Sequence, residues 1–311
     1  MDVLFFGSGA FGQPTLARLA REHRVVAVVS QPDRPAGRGG ATTPTPIAAW
    51  AASHGIGPIL KPERVNDPAV ADELRRLKAS AWVVIAFGQK LGPALLENQF
   101  AINLHASLLP RWRGAAPINA AVIAGDPYVG NSVITLADRM DAGLILGQSR
   151  RPLDPGATAG EVHDALALDG PQLVLDCLQR HAAGGTIQAV SQQESLVTLA
   201  PKLSRADAWV DFQQPAVVCR RRIHGLSPWP GVMVQLDDQQ VKLGHADLVP
   251  PVSGAPGTLV DAENGFIACG DGQGLRLLDV HPAGGKPMPW SAFQRGRRLK
   301  SGLVVVGGRG Q

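Results

Sequence analysis

Four short apolar runs, at residues 3–6, 25–29, 82–86 and 102–105, punctuate the first part of the chain. Each is too short for an ordinary helix and is dominated by Val, Ile, Leu, Phe or Trp, the texture of strands buried on both faces. Between them lie stretches with apolar residues at helical spacing. Leu16, Leu19 and Ala20 follow the first run, and Leu74 and Leu77 lie within residues 67–78 before the third. Strands separated by helices pair in parallel, because the crossover returns the chain to the same end of the sheet. The expected fold class is therefore α/β, a doubly wound, mostly parallel, Rossmann-like sheet. Ligands of such sheets bind beyond the carboxyl ends of the strands.

Residues 133–137 and 144–146 read as later strands and 158–181 as a long helix, which Ala182-Ala183-Gly184-Gly185 ends. A polar segment follows, and then the texture changes. Short apolar runs at 232–236, 241–243, 265–269 and 275–280 are divided by Asp-Asp, Pro-Pro and Gly-rich turns, as in a small antiparallel β-barrel. The expected division is an α/β domain over 1–190, a linker over 191–205 and a barrel over 206–311. With 45% hydrophobic and 18% charged residues in 311, the chain can bury two cores.

Cys177, Cys219 and Cys269 form no CxxC pair, which argues against a disulfide framework or a zinc site and for a reducing compartment. The N-terminal apolar run stops at Gly7, far short of a signal core or a membrane span. A cytoplasmic protein with no membrane partner is the expectation. Thirty Lys and Arg against 26 Asp and Glu leave a net charge of +4. That excess fits a nucleic-acid partner and equally an enzyme of small anionic substrates.

Two motifs compete for the chemistry. Gly7-Ser8-Gly9-Ala10-Phe11-Gly12 matches GxGxxG after a strand, with Asp33 where a ribose-binding acid would stand, so a nicotinamide-dependent dehydrogenase is a rival. Against it, any strand-to-helix turn in such a sheet needs small residues, and Asp33 sits in a Pro/Gly-shaped loop. The second motif is Asn103-Leu104-His105, which ends a strand and so turns Asn103 and His105 to one face. The loop from Ala106 to Gly114 holds a rigid Pro110, a flexible Gly114 and the cations Arg111 and Arg113. Such a loop suits a flat, partly anionic ligand. Asp141 follows in Met140-Asp141-Ala142-Gly143, between two strands. From the residues alone, His105 stands equally as a functional and as a structural histidine.

Asn103-Leu104-His105-Ala106-Ser107-Leu108-Leu109-Pro110 resembles the NxHxSLLP signature of enzymes that transfer formyl groups from 10-formyltetrahydrofolate. Its extension Arg111-Trp112-Arg113-Gly114-Ala115-Ala116-Pro117-Ile118 looks like the version found in the methionyl-tRNA formyltransferase family. Gln31 to Arg38, Ala200-Pro201-Lys202-Leu203-Ser204 and Pro228-Trp229-Pro230-Gly231 resemble that family's tRNA-contacting loop, linker and C-terminal domain, in the right order along nearly the whole chain.

The resemblance implies a catalytic trio of Asn103, His105 and Asp141, and a folate-binding loop at Ser107, Leu108, Leu109 and Pro110. It also implies an oligonucleotide-binding-like (OB-like) C-terminal barrel. For tRNA it implies Arg34 and Arg38 in a Gly/Pro/Thr-rich loop over 31–46, Lys202 in the linker, and the basic cluster Arg220, Arg221 and Arg222. A second basic cluster lies at 295–300, and Trp229 and Trp290 are stacking or core aromatics. The implied substrates are 10-formyltetrahydrofolate, as formyl donor, and initiator methionyl-tRNA. No metal, redox or permanently bound cofactor is expected, and a monomer is. Two departures stand out. Gly39-Gly40-Ala41-Thr42-Thr43 carries no charge where family members often place lysines, which predicts a shallower salt dependence of tRNA binding. Ala137 stands where an acid is common. A sugar-nucleotide N-formyltransferase is the alternative within the chemistry, and a non-catalytic tRNA-binding protein is the alternative outside it.

Overall fold

The computed structural model describes residues 1–36, 40–184 and 187–307. Contacts gather the chain into two compact units. One comprises Met1–Arg113, Gly130–Arg151 and His163–Leu199, the other Gly114–Val129, Pro152–Val162 and Ala200–Gln311.

The first unit is built on a seven-stranded sheet in the order Ile145–Pro152, Tyr128–Thr135, Ala101–His105, Ala81–Ile85, Asp2–Gly7, Arg24–Val29, Ile59–Leu60. The strands from Ala101–His105 to Ile59–Leu60 pair in parallel, and Tyr128–Thr135 adds antiparallel beside Ala101–His105. Alternate residues feed opposite faces of the sheet. Leu4 and Phe6 join Trp82 and Leu74 in one core layer, while Val3 and Phe5, equally buried, serve the other face.

Packing favours glycine at positions 7 and 12. A Cβ on Gly7 would stand 2.6 Å from the Phe5 ring and 3.0 Å from the Ile85 carbonyl, and one on Gly12 3.1 Å from the same ring. The carboxylate of Asp33 is paired with Lys61 at 2.6 Å. Residues 31–46, read from sequence as a loop, contain a short hairpin in which Arg34–Ala36 pairs with Ala41–Thr43. The strand read at 133–137 begins earlier, at Tyr128. The buried polar residues Asn131 and Ser132 interrupt the apolar pattern that would have marked it.

The second unit holds two antiparallel sheets. One has five strands, Met288–Pro289, Asp279–Pro282, Gln239–Leu243, Val232–Leu236 and Val305–Val306; the other has four, Ala246–Val249, Gly274–Leu277, Phe266–Ala268 and Leu259–Asp261. They enclose a single core with Val234, Leu243, Ile267, Leu275, Val280 and the buried Trp290. The apolar run at 275–280 is two strands in different sheets, parted at Leu278, whose N–H donates to the His245 carbonyl. Helices Pro117–Ala124 and Ala216–Leu226 pack together through Gly225. Its carbonyl accepts from Asn119 Nδ2 at 2.7 Å, and a Cβ there would strike Ile123.

A charged cluster in this unit makes its stability depend on pH. His245 Nδ1 lies 2.7 Å from Asp279 and its Nε2 3.1 Å from Glu161, while the buried His224 ring sits 5.6 Å away. Partial burial opposes the charge on His245, but the two carboxylates outweigh it and raise its pKa above 6.5. Burial also opposes the Glu161 carboxylate, and hydrogen bonds from Thr158 and His245 overcome it, bringing the pKa down from 4.5 to about 2. Burial, then the charges of His245 and Arg220, depress His224 from 6.5 to about 4, against the weaker pull of Asp247.

The His245 contribution is thus complete below 6.5 and is lost as pH rises through its raised folded value. That of Glu161 is complete above 4.5 and is lost as pH falls toward 2. His224, neutral in the fold, erodes stability as pH falls from 6.5 toward 4. Urea denaturation between about pH 4 and 9 should show stability declining on both sides. His245→Gln should remove the alkaline decline and keep the acid one; an unchanged alkaline slope in that variant would sink the assignment.

Candidate active site

Asn103 and His105 stand two apart on Ala101–His105, an interior strand with Val84 opposite Asn103 on one side and Ser132 opposite His105 on the other. Their shared face and their place at the strand's carboxyl end follow from that register. Asp141 lies in the turn between Tyr128–Thr135 and Ile145–Pro152, with φ of 54°. A left-handed conformation costs a non-glycine residue roughly 1 kcal/mol, so something must hold it.

His105 Nδ1 faces Asp141 Oδ2 across 3.6 Å, and the two side chains are only 7% and 12% exposed. The other ring nitrogen, Nε2, lies 2.9 Å from the Trp112 carbonyl. A carbonyl can only accept, so Nε2 carries a proton and donates to it. Nδ1 faces a carboxylate oxygen, a group that can only accept, so it donates toward Asp141 whenever it carries a proton. At 3.6 Å this is wider than a hydrogen bond. The Nδ1 edge is therefore the one able to turn toward a reacting atom.

The loop after His105 is fixed by residues that the sequence does not mark. Ser132 Oγ donates to the Ser107 carbonyl at 2.6 Å and accepts from the Leu109 N–H at 3.1 Å. Gln148 Nε2 donates to Ser132 Oγ at 2.8 Å and to the Leu109 carbonyl at 3.0 Å. The Ser107 hydroxyl is directed inward, donating to Arg111 O at 2.7 Å. Leu109 is buried, and Leu108 and Pro110 are half-buried. Ser132 and Gln148 leave no local signal, because each meets the loop only through sheet pairing far along the chain.

The basic residues fall into different settings. Arg34 is 65% exposed and pairs with Glu63 at 2.8 Å, and Arg38 lies outside the described residues. Lys202 is exposed. Arg220 and Arg221 line a cleft of about 100 Å³ with Asp126, Asp154 and His224. Two buried nitrogens of its lining residues, Arg220 Nε and His224 Nδ1, have no partner among the described residues. Arg222 is turned the other way: its guanidinium stacks 3.7 Å over the Trp209 ring and donates to the Trp209 carbonyl at 2.5 Å and the Asp207 carbonyl at 2.8 Å. Trp229 is exposed and Trp290 is core.

The family profile described as formyl transferase matches residues 1–178, and that described as formyl transferase, C-terminal domain, matches residues 202–298. A methionyl-tRNA formyltransferase of Rhodopseudomonas palustris (strain BisB18) is 40% identical over 312 residues, covering 98% of this chain and 99% of that protein. This chain belongs to the methionyl-tRNA formyltransferase family. Another family member, from Symbiobacterium thermophilum, is 39% identical over 310 residues, covering 97% of this chain and 94% of its own.

Solved structures show the same fold at low identity. WlaRD, a sugar 3N-formyl transferase, has a TM-score of 0.68 at 13% identity and covers 89% of this chain and 97% of its own. The methionyl-tRNA formyltransferase from Clostridium thermocellum has 0.55 at 12% identity, over 79% and 93%. HypX from Aquifex aeolicus, crystallised with tetrahydrofolic acid, has 0.66 at 18% identity over 96% of this chain, which spans 47% of that one.

Proposed function

We propose that this formyltransferase moves the formyl group of 10-formyltetrahydrofolate onto the amino group of methionine carried by initiator tRNA, giving N-formylmethionyl-tRNA for translation initiation. Family membership over nearly the whole chain supports the reaction class. The observation that carries the site is the largely buried pair of His105, at the carboxyl end of the interior strand that also bears Asn103, and Asp141, in the turn facing it.

In this reading the neutral methionyl amine attacks the formyl carbon, and negative charge collects on the formyl oxygen. Asn103 and His105 donate to that oxygen, each such donor contributing about 3 kcal/mol. Asp141 orients His105 and takes the amine proton, directly or through water. The bond to the folate nitrogen then breaks, and that nitrogen leaves with a proton. The loop Ser107, Leu108, Leu109 and Pro110 lines the folate site. Arg34, Arg38, Lys202, Arg220 and Arg221 contact tRNA phosphates, which position the tRNA without reading its sequence. Arg222 supports the fold beside them.

Along the sequence we assign a catalytic domain (1–190), a linker (191–205) and a tRNA-binding domain (206–311); the family profiles end at 178 and resume at 202, while the compact units place 114–129 and 152–162 in the second and carry the first to Leu199. Among the described residues no helix is long and apolar enough to cross a membrane. A cytoplasmic monomer acting on charged tRNA is the setting we assign.

The test is transfer of labelled formyl from 10-formyltetrahydrofolate to initiator Met-tRNA, elongator Met-tRNA and an amino-sugar nucleotide. Transfer to the initiator, with the elongator poorer, is expected. Transfer to the sugar nucleotide alone would keep the chemistry and overturn the substrate.

A further inference from the structure

The stretch expected to be a linker includes residues that brace the catalytic pair. Gln192 Nε2 donates to the carbonyls of Asp141, at 2.7 Å, and Gly143, at 2.8 Å. Its Oε1 accepts from Arg113 Nε at 2.9 Å. Arg113 is 3% exposed, and its Nη2 donates to Glu194 Oε1 at 2.9 Å; the second oxygen of Glu194 takes Arg139 at 3.0 Å. Arg113 directly follows Trp112, the residue whose carbonyl faces His105 Nε2. Thr198 holds the same two residues: its Oγ1 accepts from Trp112 N–H and its carbonyl from Arg113 N–H, both at 2.9 Å.

One amide therefore meets one partner of His105 directly and is tied to the other through Arg113. Through its NH2 group it holds the Asp141 backbone, and through its oxygen and Arg113 it holds the peptide next to the Trp112 carbonyl. Both held residues, Asp141 and Trp112, have left-handed φ, 54° and 62°. Such conformations persist only where neighbours over-determine them. Glutamine suits the task because it donates twice and accepts once from a single planar group. The Asp141 turn is also tight: a Cβ on Gly143 would run into the Thr135 carbonyl.

We propose that Gln192 is a positioning residue for formyl transfer, setting the His105–Asp141 geometry through the Asp141 backbone and Arg113. The inference rests on reading His105 and Asp141 as the reacting pair. The Gln192 amide is engaged by protein partners through both its nitrogen and its oxygen, so its loss is expected to act on kcat and not on substrate capture.

Gln192→Leu keeps much of the volume and removes all three hydrogen bonds. It should lower kcat by about 10- to 100-fold, the cost of a misplaced catalytic group, with KM for Met-tRNA within about twofold. Gln192→Glu retains an acceptor for Arg113 but sets a negative charge beside the pair, so protons are held to higher pH there. Its pH–kcat profile should move toward higher pH, a change that a merely structural role would not cause. Circular dichroism and thermal melts of both variants confirm a folded protein. Asp141→Asn is run alongside. If Asp141→Asn is inactive while Gln192→Leu keeps wild-type kcat, or if Gln192→Glu leaves the profile in place, the brace is refuted alone. If Asp141→Asn keeps wild-type kcat, the reading of the site falls and the inference falls with it.

Discussion

His105→Ala lowers kcat for formyl transfer by about a thousandfold or more, while KM for Met-tRNA stays near the wild-type value. The size follows from what the proposed mechanism asks of the ring. It is nearly buried, has one nitrogen against the Trp112 carbonyl and presents the other across 3.6 Å to Asp141. A group so held contributes little to capturing a large tRNA and much to a charge that exists only in the transition state. Asn103→Ala, removing a single donor, should cost about 100- to 1000-fold. The double variant should cost less than the product of the two, because in the proposed mechanism both donate to one oxyanion, and effects of groups acting as a unit are not additive. Steady-state kinetics with initiator Met-tRNA measures all three. A His105→Ala enzyme with kcat within tenfold of wild type would remove the ring from the centre of the mechanism. An equal rise in KM with kcat intact would make it a binding residue instead.

Much of this site and fold is legible in the chain itself. The parallel strands were readable because burial on both faces writes near-continuous apolar runs such as Val3 to Phe6, and Ala81–Ile85 shows the same full burial. Asn103 and His105 were readable because a period of two places them on one face at a strand end. What escaped was everything held by distant polar contacts. Ser132 and Gln148 shape the loop after His105 from strands that begin at Tyr128 and Ile145. Gln192 braces Asp141 from a segment whose composition reads only as a polar tether. Neither local propensity nor spacing encodes a hydrogen bond between residues 51 apart. The strand read at 133–137 starts at Tyr128 for a related reason: Asn131 and Ser132 are fully buried polar residues that donate to the distant carbonyls of Leu166 and Ser107, partners that no sequence window contains. The glycine motif shows the converse. In a pattern suggestive of dinucleotide binding, Gly7 and Gly12 have a packing reason in the Phe5 ring that lies against them.

Arg222→Ala should destabilise the protein and leave the salt dependence of tRNA binding unchanged, whereas Arg221→Ala should do the reverse. In the sequence the two are adjacent members of one basic run, and charge alone cannot rank them. The structure separates them by their partners. Arg222 donates to the Asp207 and Trp209 carbonyls and stacks 3.7 Å over the Trp209 ring. Two charge-assisted hydrogen bonds and a cation–π contact, discounted for a half-buried side chain, contribute about 2 kcal/mol. Its loss should lower Tm by about 4–8 °C. Arg221 instead lies over Gly125, where a Cβ would strike its guanidinium, and lines the cleft shared with Arg220 and His224. Removing it should raise KM for tRNA several-fold and reduce the salt slope of binding by about one ion, with Tm nearly unchanged. Differential scanning fluorimetry and filter binding across salt read the two effects independently. If Arg222→Ala flattened the salt slope at constant Tm, the Trp209 contact would be incidental and the whole run would face phosphate. If Arg221→Ala left the slope intact, the cleft would not hold a tRNA phosphate, and the nucleic-acid contacts of this domain would have to come from Lys202 or the basic residues at 295–300.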